Sequence, residues 1–126
     1  MNSNELINLL LQFQLSVKFW HWNSETFAQH KAFDKLYKSL GDNIDLLAES
    51  TMGLMDDKKY YEFPDNYYST DNIKLIKIEY KISIIHSIYD YLERFSKDDT
   101  DNIGVQNILA NIITDLDQTK YLLTLK

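Results

Sequence analysis

Apolar side chains recur along this chain at three- and four-residue intervals in four separate stretches, the spacing of one buried face of an α-helix. The first stretch runs from about Asn4 to Trp22 and carries Leu6, Leu9, Leu10, Phe13, Val17 and Trp20, with Ser3 placed to cap its start. Asn23 and Ser24 interrupt the pattern. The second stretch opens near Phe27, where Thr26 and Gln29 have the spacing of a capping box. It continues to about Met52, and Gly53-Leu54 follows as a C-terminal cap. Gly41-Asp42-Asn43 lies inside it, yet Phe33, Leu36, Tyr37, Leu40, Ile44, Leu47 and Ala48 keep one helical phase across the glycine. A break resets that phase, so a single helix is predicted, with Gly41 costing about 1 kcal/mol against alanine.

Residues Met55 to Thr70 form a polar, tyrosine-rich segment that holds the single proline, Pro64. A third helix is predicted from Asp71 to Phe95, a short polar turn over Ser96 to Asp101, and a fourth helix to the C-terminus. The fourth carries Ile103, Ile108, Leu109, Ile112, Ile113, Leu116 and Leu123. The short links between helices 1 and 2 and between 3 and 4 predict two antiparallel hairpins. The link between helices 2 and 3 is long enough, at up to ~3.3–3.6 Å per residue, to span the length of a bundle. The expected fold class is therefore all-α, a ferritin-like four-helix bundle with one long crossover, formed by residues 1–126 as a single domain.

Composition narrows the chemistry. With no cysteine in 126 residues, a metal has only His, Asp or Glu to bind. The formal net charge is −6, Arg94 is the lone arginine, and no basic run exists, so no nucleic-acid partner is expected. No secretory leader and no apolar stretch near the ~20 residues of a membrane span is found, so a cytoplasmic protein without a membrane partner is expected.

Five residues stand out as ligand types: His21, His30, Asp34, Asp45 and Glu49. Taking His30 as zero, the other three on helix 2 fall near 40°, 60° and 100° at about 100° per residue. All four lie on one stripe at the border of the buried face. Asp45 lies about 22 Å beyond His30 along the helix. One chain therefore cannot bring both pairs to one centre. Either each pair is a half-site of its own, or helix 2 of a second copy runs antiparallel and sets Asp45/Glu49 beside His30/Asp34. His21 joins His30 only if the chain reverses between them, at Asn23-Ser24.

The stretch His21-Trp22-Asn23, Phe27, His30, Phe33-Asp34, Tyr37, Leu40, Asp45, Ala48-Glu49 resembles the ferroxidase signature of the Dps proteins, the mini-ferritins of starved bacteria. The likeness covers about Lys18 to Gly53. It implies that His21, His30 and Asp34 come from one subunit and Asp45 and Glu49 from its two-fold mate. It also implies Fe(II) binding and oxidation, typically by hydrogen peroxide, inside a hollow dodecamer, with Trp22 beside the centre. Zinc and manganese suit the same donors. The segment between His21 and His30 is three residues shorter than in that family, and the basic DNA-binding tail is absent. A looser likeness, through the same His-Trp…His…Asp…Glu core and the ending Tyr121 to Lys126, is to an uncharacterised ferritin-like family of phages and giant viruses.

Other readings apply to the same residues. An i, i+4 His–Asp pair is common on solvated faces. His21 also suits a helix C-terminus. Trp20 and Trp22 suit a core or an interface, His86 and Asp90 the surface, and the tyrosines at 60, 61, 67 and 68 packing under the long link. A metal-free helical scaffold acting as an interaction protein is the alternative function. Ala28, Ala32 and Leu46, off the main apolar face, are expected to form a partner surface in either case.

Overall fold

The computed structural model describes residues 3–54, 61 and 77–125. Helix α1 spans Ser3–Trp22, α2 Phe27–Gly53, α3 Ile78–Arg94 and α4 Ile103–Leu122, and a π-helical turn, Phe95–Asp99, continues α3. The described residues are helical with short turns between, forming a four-helix bundle. Its core is the set of periodic positions: Leu6, Leu10, Phe13, Val17 and Trp20 meet Phe33, Leu36, Leu40, Ile44 and Leu47, closed by Ile85, Leu92, Leu109, Ile112 and Leu116.

Helix α2 passes unbroken through Gly41, and α1 packs closely there. A Cβ at that position would stand 3.1 Å from Gln14 Nε2. The α2 N-terminus is capped by Thr26, whose hydroxyl accepts from Gln29 N at 3.1 Å. The Gln29 side chain reaches one residue further back than a capping box requires and accepts from Glu25 N. Helix α2 ends at Gly53 with Leu54 as its C-cap in a right-handed conformation, and no glycine has positive φ among the described residues.

Five expectations are corrected. Ser3 lies within the helix and is buried, so it does not cap α1. Lys77 is extended and α3 starts at Ile78; residues 71–76, where the helix was expected to begin, lie outside the described set. The polar turn after Phe95 winds on as a π-helical turn instead. Phe95 is buried at its start, and Gln106 Nε2 caps its carbonyls by donating to Ser96 O and Thr100 O. Ile103 is 74 % exposed because it is the first residue after the Asn102 cap, on the outer side of α4. Ala32, expected on a partner surface, is buried, while Leu46 is exposed.

Cross-helix contacts fix the directions. Trp20 packs on Phe33 and Gln14 donates to Tyr37 O, so α1 and α2 are antiparallel. Ser39 and Asn43 donate to Asp115, and Phe27 and Ala28 share a groove with Leu125, so α2 and α4 are antiparallel. Glu5 bonds Tyr91 and Glu25 faces Lys81, so α1 and α3 are antiparallel too. Helices α2 and α3 therefore run the same way, and the chain leaves α2 at one end of the bundle and enters α3 at the other. The expected crossover, with Pro64 and the tyrosines at 60, 67 and 68, lies outside the described residues. Tyr61 packs against the core and its hydroxyl pairs with that of buried Thr51. No helix among the described residues is long and apolar enough to cross a membrane.

Candidate metal centre

Helix α1 must stop and reverse within four residues for His21 to meet His30. The last carbonyls of α1 are taken up locally: Asn23 Nδ2 donates to Phe19 O at 3.0 Å and Ser24 Oγ to Trp20 O at 2.7 Å. Thr26 then opens α2. This places His21 in the last turn of α1 against His30 in the first turn of α2.

The two imidazoles stack, with ring centroids 3.9 Å apart and planes at 27°. Each is held by the other residue's backbone: His21 Nδ1 lies 2.8 Å from His30 O, and His30 Nδ1 lies 3.0 Å from His21 O. A carbonyl oxygen only accepts, so both Nδ1 atoms carry the proton and donate. In the neutral rings the lone pair then sits on Nε2. Fixing one ring nitrogen on a carbonyl and leaving the other as a base is how metal-binding histidines are oriented. The short His21–His30 segment thus accommodates the pairing.

Asp34, one turn beyond His30, joins this end. Its Oδ1 is 3.9 Å from His21 Nε2, and its Oδ2 accepts from Lys38 Nζ at 3.0 Å. The Lys38 hydrogen bond holds the Asp34 carboxyl below the usual carboxylate range, against desolvation, and the charges of Lys38, His21 and Lys18 act in the same direction. Phe27 lies nearly parallel to His30, with centroids 6.4 Å apart. Trp22 is 60 % exposed and meets Phe19 edge-on. The Lys18 ammonium lies 5.4 Å from the Trp22 ring and 4.5 Å from that of Tyr37.

Asp45 and Glu49 are exposed further along α2 and do not join this cluster. Among the described residues no group of three His, Asp or Glu side chains of one chain is placed to hold a metal ion. The donor set at the hairpin is therefore two imidazoles and one carboxylate at the edge of reach, with a lysine on the carboxylate. His86 and Asp90 are exposed on α3, as expected. The sequence pattern singles out neither Lys18 nor Lys38 as a site residue. The i, i+4 spacing of Asp34 and Lys38 was the available signal for the second, whereas Lys18 reaches the site across the hairpin.

The profile of a family described as "Family of unknown function (DUF5856)" matches residues 21–123. The chain is also similar to the "Uncharacterized 14.6 kDa protein in mobD-ri intergenic region" of Enterobacteria phage T4. That match is 28 % identical over 125 residues and covers 98 % of this chain and 89 % of the phage protein. No solved structure matches.

Proposed function

The chain belongs to DUF5856, a family of unknown function, and within it we propose a Dps-like, ferritin-type bundle that binds divalent metal at sites shared by two copies, with Fe(II) as the substrate. The observation that carries this reading is the reciprocal pair of bonds between each histidine Nδ1 and the other's carbonyl. It leaves the Nε2 of each stacked ring as a base, with Asp34 one turn beyond His30 and 3.9 Å from His21 Nε2, donor types suited to iron, zinc or manganese. The helix directions, with α2 and α3 parallel, agree with a ferritin-like crossover.

Features of α2 itself support the missing half of the site. In the register that sets His30 against Glu49 and Asp34 against Asp45 of a second copy, Phe27 meets Met52 and Lys38 meets Gly41. Phe27 and Met52 are 73 % and 42 % exposed in the lone chain. The first half of α2 carries Lys31, Lys35 and Lys38 against one acid, Asp34, while the second half carries Asp42, Asp45 and Glu49 and no base. Antiparallel pairing about a two-fold axis brings opposite charges together twice. Two Fe(II) in such a site each give one electron to hydrogen peroxide, which takes up two protons and leaves as two waters. The chain's part is to hold both ions through imidazole and carboxylate.

The test exchanges halves. His30→Ala/Asp34→Ala and Asp45→Ala/Glu49→Ala should each lose high-affinity metal binding. Refolded together, half of the dimers are mixed, and each mixed dimer holds one intact site, so about a quarter of wild-type sites should return. Folded, assembled mixtures that regain no binding would refute the shared site. A metal-free interaction scaffold is the second reading, favoured by the hold of Lys38 on Asp34; saturable Fe(II), Zn(II) or Mn(II) binding by the purified protein decides against it.

A further inference from the structure

We propose that Lys38 is a built-in competitor for the Asp34 position, so that a metal ion enters the hairpin site only when the Lys38 ammonium leaves the carboxylate. This rests on the metal-binding reading above and names how that site is regulated. Asp34 is the carboxylate that meets His21, and it lies one turn beyond His30. One oxygen faces His21 Nε2 at 3.9 Å, while the other is occupied by Lys38 Nζ at 3.0 Å. A cation already sits where the ligand would bind. A divalent ion on Asp34 and His21 would stand within a few ångströms of that ammonium, and two cations at such a separation repel strongly even near the surface.

Lys38 can move. Its side chain is largely exposed and makes the pair from one turn further along the same helix, an arrangement that holds it weakly. The other lysines of the first half of α2 do not share this contact: Lys31 lies over the Phe27 ring, 5.4 Å from its centroid, and Lys35 borders the groove towards α4. In the antiparallel register Lys38 stands opposite Gly41 of the second copy, next to that copy's Asp42. That carboxylate, which the shared site does not use, would receive the ammonium as Asp34 turns to the metal. The lone chain thus keeps its half-site closed by its own lysine, and assembly supplies both the remaining ligands and a new partner for the lysine.

Calorimetric titration with Zn(II) tests this on the full chain, at a concentration where sedimentation shows the same species for every variant. Lys38→Gln should bind Zn(II) about three- to tenfold more tightly than wild type. Lys38→Arg, which keeps the charge on Asp34, should stay within about twofold of wild type, and Lys35→Gln should gain less than half of the Lys38→Gln effect. Equal binding by wild type and Lys38→Gln overturns the competitor role and leaves the metal site standing. An equal gain from Lys35→Gln overturns it as well, since it reduces the effect to the general field of the helix. Absence of Zn(II) binding in wild type and Lys38→Gln alike overturns both this inference and the metal-binding reading.

Discussion

Replacing Gly41 with alanine should stabilise the folded chain while weakening self-association. Gly41 sits in the middle of a continuous helix, where alanine is favoured over glycine by about 1 kcal/mol. Against this stands one contact: the new Cβ would lie 3.1 Å from Gln14 Nε2. That atom is the far end of a flexible side chain and makes a long bond, 3.3 Å, to Tyr37 O. Moving it aside costs at most that bond, about 0.5 kcal/mol. The net expectation is a gain of about 0.5 kcal/mol, or about 2 °C in Tm. In a Gln14→Ala background, where the obstruction is gone, the full gain of about 1 kcal/mol should appear. At the proposed two-fold crossing the same methyl group pushes against Lys38 of the second copy, so the dimer dissociation constant should rise severalfold. Urea denaturation of the four chains of the cycle measures the first effect, and sedimentation equilibrium the second. A loss of 1 kcal/mol or more from Gly41→Ala in both backgrounds would refute the assignment of Gln14 as the one yielding neighbour. Unchanged self-association would refute the crossing point.

Thr26→Ala removes the hydroxyl that accepts from Gln29 N and should cost about 1 kcal/mol in urea denaturation; because the same turn sets His21 against His30, metal affinity should fall with it. Lys81 is 1 % exposed, and burial holds its ammonium below the usual lysine range, partly opposed by Glu25. The unfolded chain therefore keeps this proton to higher pH than the folded one, so stability should rise as pH climbs from the folded value towards 10.5. Lys81→Met should flatten that rise and raise stability at neutral pH by about 1 kcal/mol or more. The scan belongs below pH 10.0, since Tyr91, whose ionisation burial pushes up, reverses the slope above it. Duplex DNA should not be retained in a gel shift at physiological salt, given the net charge of −6; a clear shift would show that the lysines of α2 outweigh the acidic remainder.

The four helices were legible in the sequence because each buries one stripe, and a stripe on a helix is written as three- and four-residue spacing. Phase continuity carried α2 correctly through Gly41, and Thr26 with Gln29 marked its start, since caps act within one turn. The same local rules misplaced the start of α3 and read the π-helical turn after Phe95 as a polar loop, where burial of Phe95 and bonds from Gln106 decide the path. At the site, the sequence placed His30, Asp34, Asp45 and Glu49 on one stripe, because they share a helix. Whether His21 meets His30 depended on how four residues reverse the chain, and only the packed hairpin, with Trp20 on Phe33 and the carbonyls of α1 capped, decided that the rings stack. Lys18 reaching towards Asp34 and the burial of Lys81 were also decided by packing. Spacing along one helix fixes which residues share a face, whereas contacts between helices depend on turns and core packing that no short stretch of sequence contains.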